Sequence, residues 1–96
     1  MNATTAAKAD TYKLLKTTTP EELEMKMMCN GGVVITFDDR VFIAGYYYNP
    51  NGRCYYGAVY RFTTTDHTVE GAVMLESISK DTFIDNGHAI AWAMNR

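Results

Sequence analysis

The sequence predicts an α+β fold: two N-terminal helices packed on an antiparallel sheet of four to five strands. Three observations carry this reading. Residues 5–16 and 20–29 have helix-type apolar spacing, the second with a strong start signal. Residues 33–63 hold β-branched and aromatic runs separated by turn signals. Six of the seven tyrosines lie between Tyr46 and Tyr60, on either side of Asn49-Pro50-Asn51-Gly52, which marks a central hairpin. All 96 residues are read as one domain.

The first helix, residues 5–16, spaces Ala6, Ala7, Tyr12, Leu14 and Leu15 among Lys8, Asp10, Lys13 and Lys16. Thr17-Thr18-Thr19 ends it, because β-branched hydroxyl residues compete for backbone hydrogen bonds. The second helix, residues 20–29, takes Thr19 as N-cap and Pro20 at its first position, where a missing N–H costs nothing. Glu21 and Glu22 favour the positive end of the helix dipole, and Thr19 to Glu22 has capping-box spacing. Its body is Leu23, Met25, Met27, Met28 and Cys29, and Asn30-Gly31-Gly32 stops it. The methionines read as core filler first and as an adaptable binding face second.

Strands follow at 33–37, 41–48 and 53–63, with a tight turn at Asp38-Asp39-Arg40 and a polar turn at 64–67. A fourth strand is expected over 69–75 and one helical turn over 79–85. After Asn86-Gly87, residues 88–94 alternate large side chains with alanine. That alternation suits a strand, and an Ala-rich helix is the open alternative.

A Pro50-Asn51-Gly52 loop suits a type I turn closed by a glycine bulge. That turn pairs Asn49 with Arg53, Tyr47 with Tyr55, Gly45 with Gly57 and Ile43 with Val59. One face then carries Phe42, Ala44, Tyr46, Tyr48, Cys54, Tyr56, Ala58, Tyr60 and Phe62. The other carries Val41, Ile43, Gly45, Tyr47, Arg53, Tyr55, Gly57, Val59 and Arg61. Paired glycines in a strand interior mark a close approach. The expected binding site is therefore a trough floored by Gly45 and Gly57, walled by Tyr47, Tyr55, Ile43 and Val59, with Arg53 and Arg61 at its margins. A helix of the same chain filling the trough is the structural alternative. With both faces apolar, a second chain is expected to cover one of them, most simply in a homodimer.

Catalytic chemistry finds little footing. Asp66-His67 are adjacent on a turn, where the two side chains rarely face one another productively. His88 heads the last segment and reads as a structural histidine. Cys29 and Cys54 lack a surrounding nucleophile signature, and Cys54 projects among aromatics, where burial makes a thiol inert. No Cys-x2-Cys or His-x3-His spacing announces a metal, and Gly31-Gly32 follows a helix instead of opening one, the wrong order for a phosphate cradle. No cofactor is expected.

Composition bounds the rest. The net charge of −2 and scattered basic residues argue against a large phosphate-binding field. With 47 % hydrophobic and 21 % charged residues the chain is ordinary for a water-exposed globular domain. Reduced thiols, no secretory signal and no membrane-length apolar run point to the cytoplasm. The leading expectation is a small non-enzymatic protein-interaction module, a stoichiometric inhibitor or adaptor, binding through the Tyr-rich hairpin. A phage or mobile-element origin rests on size and lack of chemistry alone. The alternatives are a small-ligand binder using the aromatic-walled trough and a weak single-stranded nucleic-acid binder, for which tyrosines and arginines on a sheet face would stack bases.

Overall fold

The computed structural model describes residues 16–28, 31–50 and 52–96. They form strands β1 (Thr17–Thr18), β2 (Val33–Phe37), β3 (Arg40–Asn49), β4 (Gly52–Phe62) and β5 (Val73–Ile78), and helices α1 (Pro20–Met28) and α2 (Asn86–Met94). All neighbours in the sheet are antiparallel, in the order β1-β5-β4-β3-β2.

This is not the expected pair of N-terminal helices on one sheet. The helix expected over 5–16 lies outside the described residues except at Lys16, whose carbonyl instead accepts the Leu75 N–H at 2.7 Å. Thr17 and Thr18, expected to break a helix, pair with Met74 and Val73 as an edge strand. The second helix comes from the other end of the chain, α2, where residues 88–94 were expected to be a strand. The two helices lie on opposite faces of a mostly β molecule.

α1 begins as its sequence dictates. Thr19 Oγ1 accepts the Glu22 N–H at 3.2 Å, and Leu23 and Met27, one turn apart, are buried against the sheet. The Gly32 N–H closes on the Met27 carbonyl at 2.8 Å, and Gly31 has φ +80°, the left-handed conformation of a helix stop. α2 starts at Asp85, whose carboxylate accepts the His88 N–H at 2.8 Å. Alanines at 89, 91 and 93 fit a strand's period of two, yet Ala89 and Ala93 also lie four apart on one helix face, and both are fully buried. The helix prevails because Asp85 caps it and small residues let it sit close on the sheet.

The central hairpin is slipped by one residue from its expected register. Asn49 pairs with Gly52, Tyr48 with Arg53, Tyr47 with Cys54, Tyr46 with Tyr55, Gly45 with Tyr56 and Ala44 with Gly57. Two positions instead of three separate the closing pair, and Gly52, with φ +119°, joins the ladder. One residue of slip turns one strand over relative to the other. Val41, Ile43 and Tyr47 now share a face with Tyr56, Ala58, Tyr60 and Phe62, under α1. Phe42 and Val59 share the opposite face with Ala93, Ile90 and Trp92 of α2. The register places large residues over small ones. A Cβ on Gly45 would fall on the Tyr56 ring, and one on Gly57 would meet the Ala89 carbonyl and Trp92 Cε3, each at 2.6 Å.

Both faces are therefore covered by the chain's own helices, which removes the reason for expecting a second chain on one of them. The fourth long strand falls at 73–78 instead of 69–75. It pairs Val59 with Ser77 and Tyr60 with Leu75, so Glu76 is an extra residue that bends the strand and curls the sheet.

Candidate functional site

The expected trough does not exist. Gly45 and Gly57 lie on opposite faces, one filled by Tyr56 and the other by α2. Of its expected walls, Ile43 and Val59 have no exposed surface, and Tyr47 is half-buried against the α1 cluster. A small-ligand site there is excluded by packing. Arg61 is far along β4, paired with Met74, where Glu76 and Asp39 neutralise it; Asp39 Oδ2 lies 3.7 Å from its Nη1.

What remains of the expected site is Arg53 and Tyr55, and the slipped register gives them new neighbours. Tyr48 stands opposite Arg53 and Tyr46 opposite Tyr55, so all four side chains project on one face at the hairpin tip. Arg53 donates from Nε to the Tyr48 hydroxyl and from Nη1 to the Tyr55 hydroxyl, both at 3.2 Å. Its guanidinium carbon lies 4.6 Å over the Tyr46 ring centre and 5.7 Å from that of Tyr48. Tyr46 meets Tyr48 edge-on and Tyr55 at a tilt, with ring centres 5.6 Å apart in each pair. Tyr48 is 63 % exposed, and Arg53 is exposed. A strap holds the base of the cluster: the Phe83 N–H donates to the Tyr55 carbonyl at 2.8 Å, and the Tyr55 N–H donates back at 3.2 Å.

The electrostatics follow from those partners. The Tyr48 phenol is pushed below its usual value, chiefly by the hydrogen bond from Arg53. Arg53 is held still more firmly protonated, first by its bond to Tyr55 and then by that to Tyr48. Arg40 lies 3.7 Å from Glu76 and donates to the Arg96 carbonyl at 3.0 Å. Arg96 stacks over Trp92 at 4.5 Å. Arg53 has no carboxylate partner among the described residues. Only two of its five N–H groups are used by the phenols. A cation is thus aimed outward, fixed by neutral hydroxyls, beside an exposed aromatic ring.

The residues weighed for catalysis do not assemble. Asp66 accepts the Thr68 N–H at 3.0 Å and hydroxyl at 2.6 Å, which holds its carboxyl below the usual range, while His67 stacks on Phe62 at 3.8 Å. His88 heads a helix and not a strand; its Nδ1 lies 2.8 Å from Asp85 Oδ1. That pair was legible only as Asp85-x-x-His88 spacing at a helix start. It is exposed, and its carboxylate is occupied by capping. Cys54 is half-buried opposite Tyr47, and Cys29 lies outside the described residues. Among the described residues no group of three metal-ligating side chains comes together, and no helix is long and apolar enough to cross a membrane. A mainly apolar groove lies beside α1, lined by Thr18, Glu22, Leu23, Met25 and Lys26.

No curated protein and no solved structure matches the chain significantly. A family model does: "Nucleotide modification associated domain 4" matches residues 14–96, which include the whole sheet, both helices and the Tyr/Arg tip. The chain belongs to this family, Nmad4.

Proposed function

We propose that this Nmad4 domain is a non-enzymatic binding module serving a nucleotide-modification system, and that the hairpin tip is its binding surface. The observation that carries the reading is Arg53: a rigidly held cation with outward N–H groups and no carboxylate partner among the described residues, flanked by Tyr48 and Tyr55. Tyrosine and arginine side by side at an exposed, preorganised site are the residue types that dominate binding surfaces. Membership of a nucleotide-modification-associated family supports the setting. The lack of a convergent acid, base and nucleophile among the described residues supports binding over turnover.

The test is genetic and chemical. In cells that carry the system, modified-nucleotide content measured by mass spectrometry should fall several-fold when Arg53→Ala and Tyr48→Ala are combined. The purified variant should melt like the parent. The purified parent should leave nucleotides and nucleic acid chemically unchanged. Unaltered modification in the double variant removes the tip from the function, and turnover by the isolated chain removes the non-enzymatic reading.

A further inference from the structure

We infer that the tip recognises an unpaired nucleotide through one phosphate and its base, the phosphate on the outward N–H groups of Arg53 and the base on the exposed ring of Tyr48. The inference rests on the binding-module reading above and names its ligand class.

Three features of the tip select this chemistry. First, the guanidinium is planar and oriented by two hydrogen bonds at 3.2 Å, so its remaining N–H groups form a fixed fork. Such a fork matches the oxygens of a phosphate in two parallel bonds, which a flexible ammonium does not offer. Second, the Tyr48 ring is 63 % exposed beside that fork, with Tyr46 crossing it at 86° and the Arg53 guanidinium carbon 5.7 Å from its centre. Every base has a π-face, so an exposed aromatic ring takes a base without regard to sequence. Third, the tip carries one unneutralised arginine on a chain of net charge −2. A duplex backbone needs several cations along a track, and among the described residues this surface has no such track. One phosphate and one splayed base fit the count; a double helix does not.

The geometry also assigns roles. Tyr46 stacks beneath the guanidinium at 4.6 Å and Tyr55 accepts from Nη1, so these two position Arg53 and do not themselves meet the ligand first. An acidic peptide would satisfy the cation as well, but it gives no use to an exposed aromatic face beside it. The association of the family with nucleotide modification weighs on the nucleotide side.

The experiment is an NMR titration of the full chain, labelled with nitrogen-15, at low salt. The probes are deoxyadenosine monophosphate, deoxyadenosine, inorganic phosphate, a ten-residue oligodeoxythymidylate and a glutamate-rich peptide. The monophosphate should give saturable shifts centred on Tyr48, Arg53 and Tyr55. Deoxyadenosine and inorganic phosphate should each bind at least tenfold more weakly, because each lacks one half of the ligand. Tyr48→Ala should cost roughly tenfold in affinity, the range of one base stack. Arg53→Ala should bring the monophosphate down to the affinity of the nucleoside. Tighter binding of the oligonucleotide than of the monophosphate would identify a single strand as the source, and equal binding a free nucleotide; either supports the inference.

Shifts that fail to saturate with every nucleotide would overturn it. Inorganic phosphate binding as tightly as the monophosphate would leave an adventitious anion site only, and preferential binding of the acidic peptide would make the tip a protein-docking surface. In both cases modification that still depends on Arg53 in cells keeps the binding-module reading while this ligand assignment falls.

Discussion

At its root the central hairpin is a sandwich. Val41, Ile43, Ala58 and Tyr60 are buried under α1, and Phe42 and Val59 under α2. At its tip the same two strands carry Tyr48 and Arg53 into solvent. The two arginines of β4 make the difference concrete. Arg61, toward the root, is paired with Glu76 and Asp39 at the surface of the fold. Arg53, at the tip, is oriented instead by phenols, which leave its charge intact. Orientation without neutralisation is what a binding group requires and a purely structural one does not. On the proposed binding reading, the hairpin divides its tyrosines and its arginines between two tasks.

The largest effect expected of that division lies in the root. Gly57→Ala would thrust a Cβ against the Ala89 carbonyl and the Trp92 ring, each 2.6 Å away, and α2 has no flexible side chain there to yield. Overpacking of this kind should cost about 2–3 kcal/mol in urea unfolding. A variant as stable as the parent would mean that α2 does not clamp the root.

The tyrosines sharpen the comparison by pH. Burial pushes Tyr60 up to about 12 from 10.0, and raises Tyr56 as well, so in the native state both keep their protons where the unfolded chain has lost them. Their contribution to stability is whole below pH 10 and is lost as the pH rises through 10 toward 12. For Tyr60 alone a shift of that size corresponds to roughly 2–3 kcal/mol. Urea midpoints measured from pH 9 to 12 should fall steeply in the parent and less so in Tyr60→Phe. Tyrosinate absorbance should show Tyr48 ionising first, before any unfolding. Loss of stability in step with Tyr48 ionisation would reverse the assignment of root and tip.

Much of this was legible in the sequence, and the hairpin register and the last helix were not, for identifiable reasons. The α1 start could be read from Thr19-Pro20-Glu21-Glu22 because capping is local chemistry. The hairpin, its aromatic density and the candidacy of Arg53 and Tyr55 could be read because Asn49-Pro50-Asn51-Gly52 is a strong turn signal. The register could not, since Gly52 serves both a three-position and a two-position closure. Packing of Tyr56 over Gly45 and of Trp92 over Gly57 favours the second, and the latter contact reaches from the hairpin to the C-terminal helix. The trough and the shared face of the glycines both followed from that single position. The strand expected over 88–94 failed similarly: alternating alanines satisfy both periods, and only Asp85 and the Gly57 surface decide for a helix.

A smaller effect separates the two ends by ionic strength. Arg61 lies partly in solvent between Glu76 and Asp39, so Arg61→Ala should lower the melting temperature slightly in dilute buffer. Salt screens exposed pairs, so the gap from the parent should close as salt is raised. A gap that persists in high salt would show that Arg61 acts through its aliphatic stem against the sheet instead of through its charge.

Arg53→Ala is the counterpart and should have the smallest effect on folding of all. Removing Arg61 takes from Glu76 the nearer of its two cations and from Asp39 the arginine at 3.7 Å; removing Arg53 leaves only phenols, which solvent can serve. The urea midpoint should be indistinguishable from the parent at low and at high salt. What should move is the Tyr48 titration, since the Arg53 hydrogen bond is the first cause of its lowered pKa. Tyrosinate absorbance should therefore rise at higher pH in the variant. An unmoved Tyr48 titration would mean that the guanidinium is not held against that phenol in solution. A lost fold would mean that the tip belongs to the core after all. A shifted titration on an unchanged fold would leave Arg53 as a preorganised cation that the hairpin itself does not use.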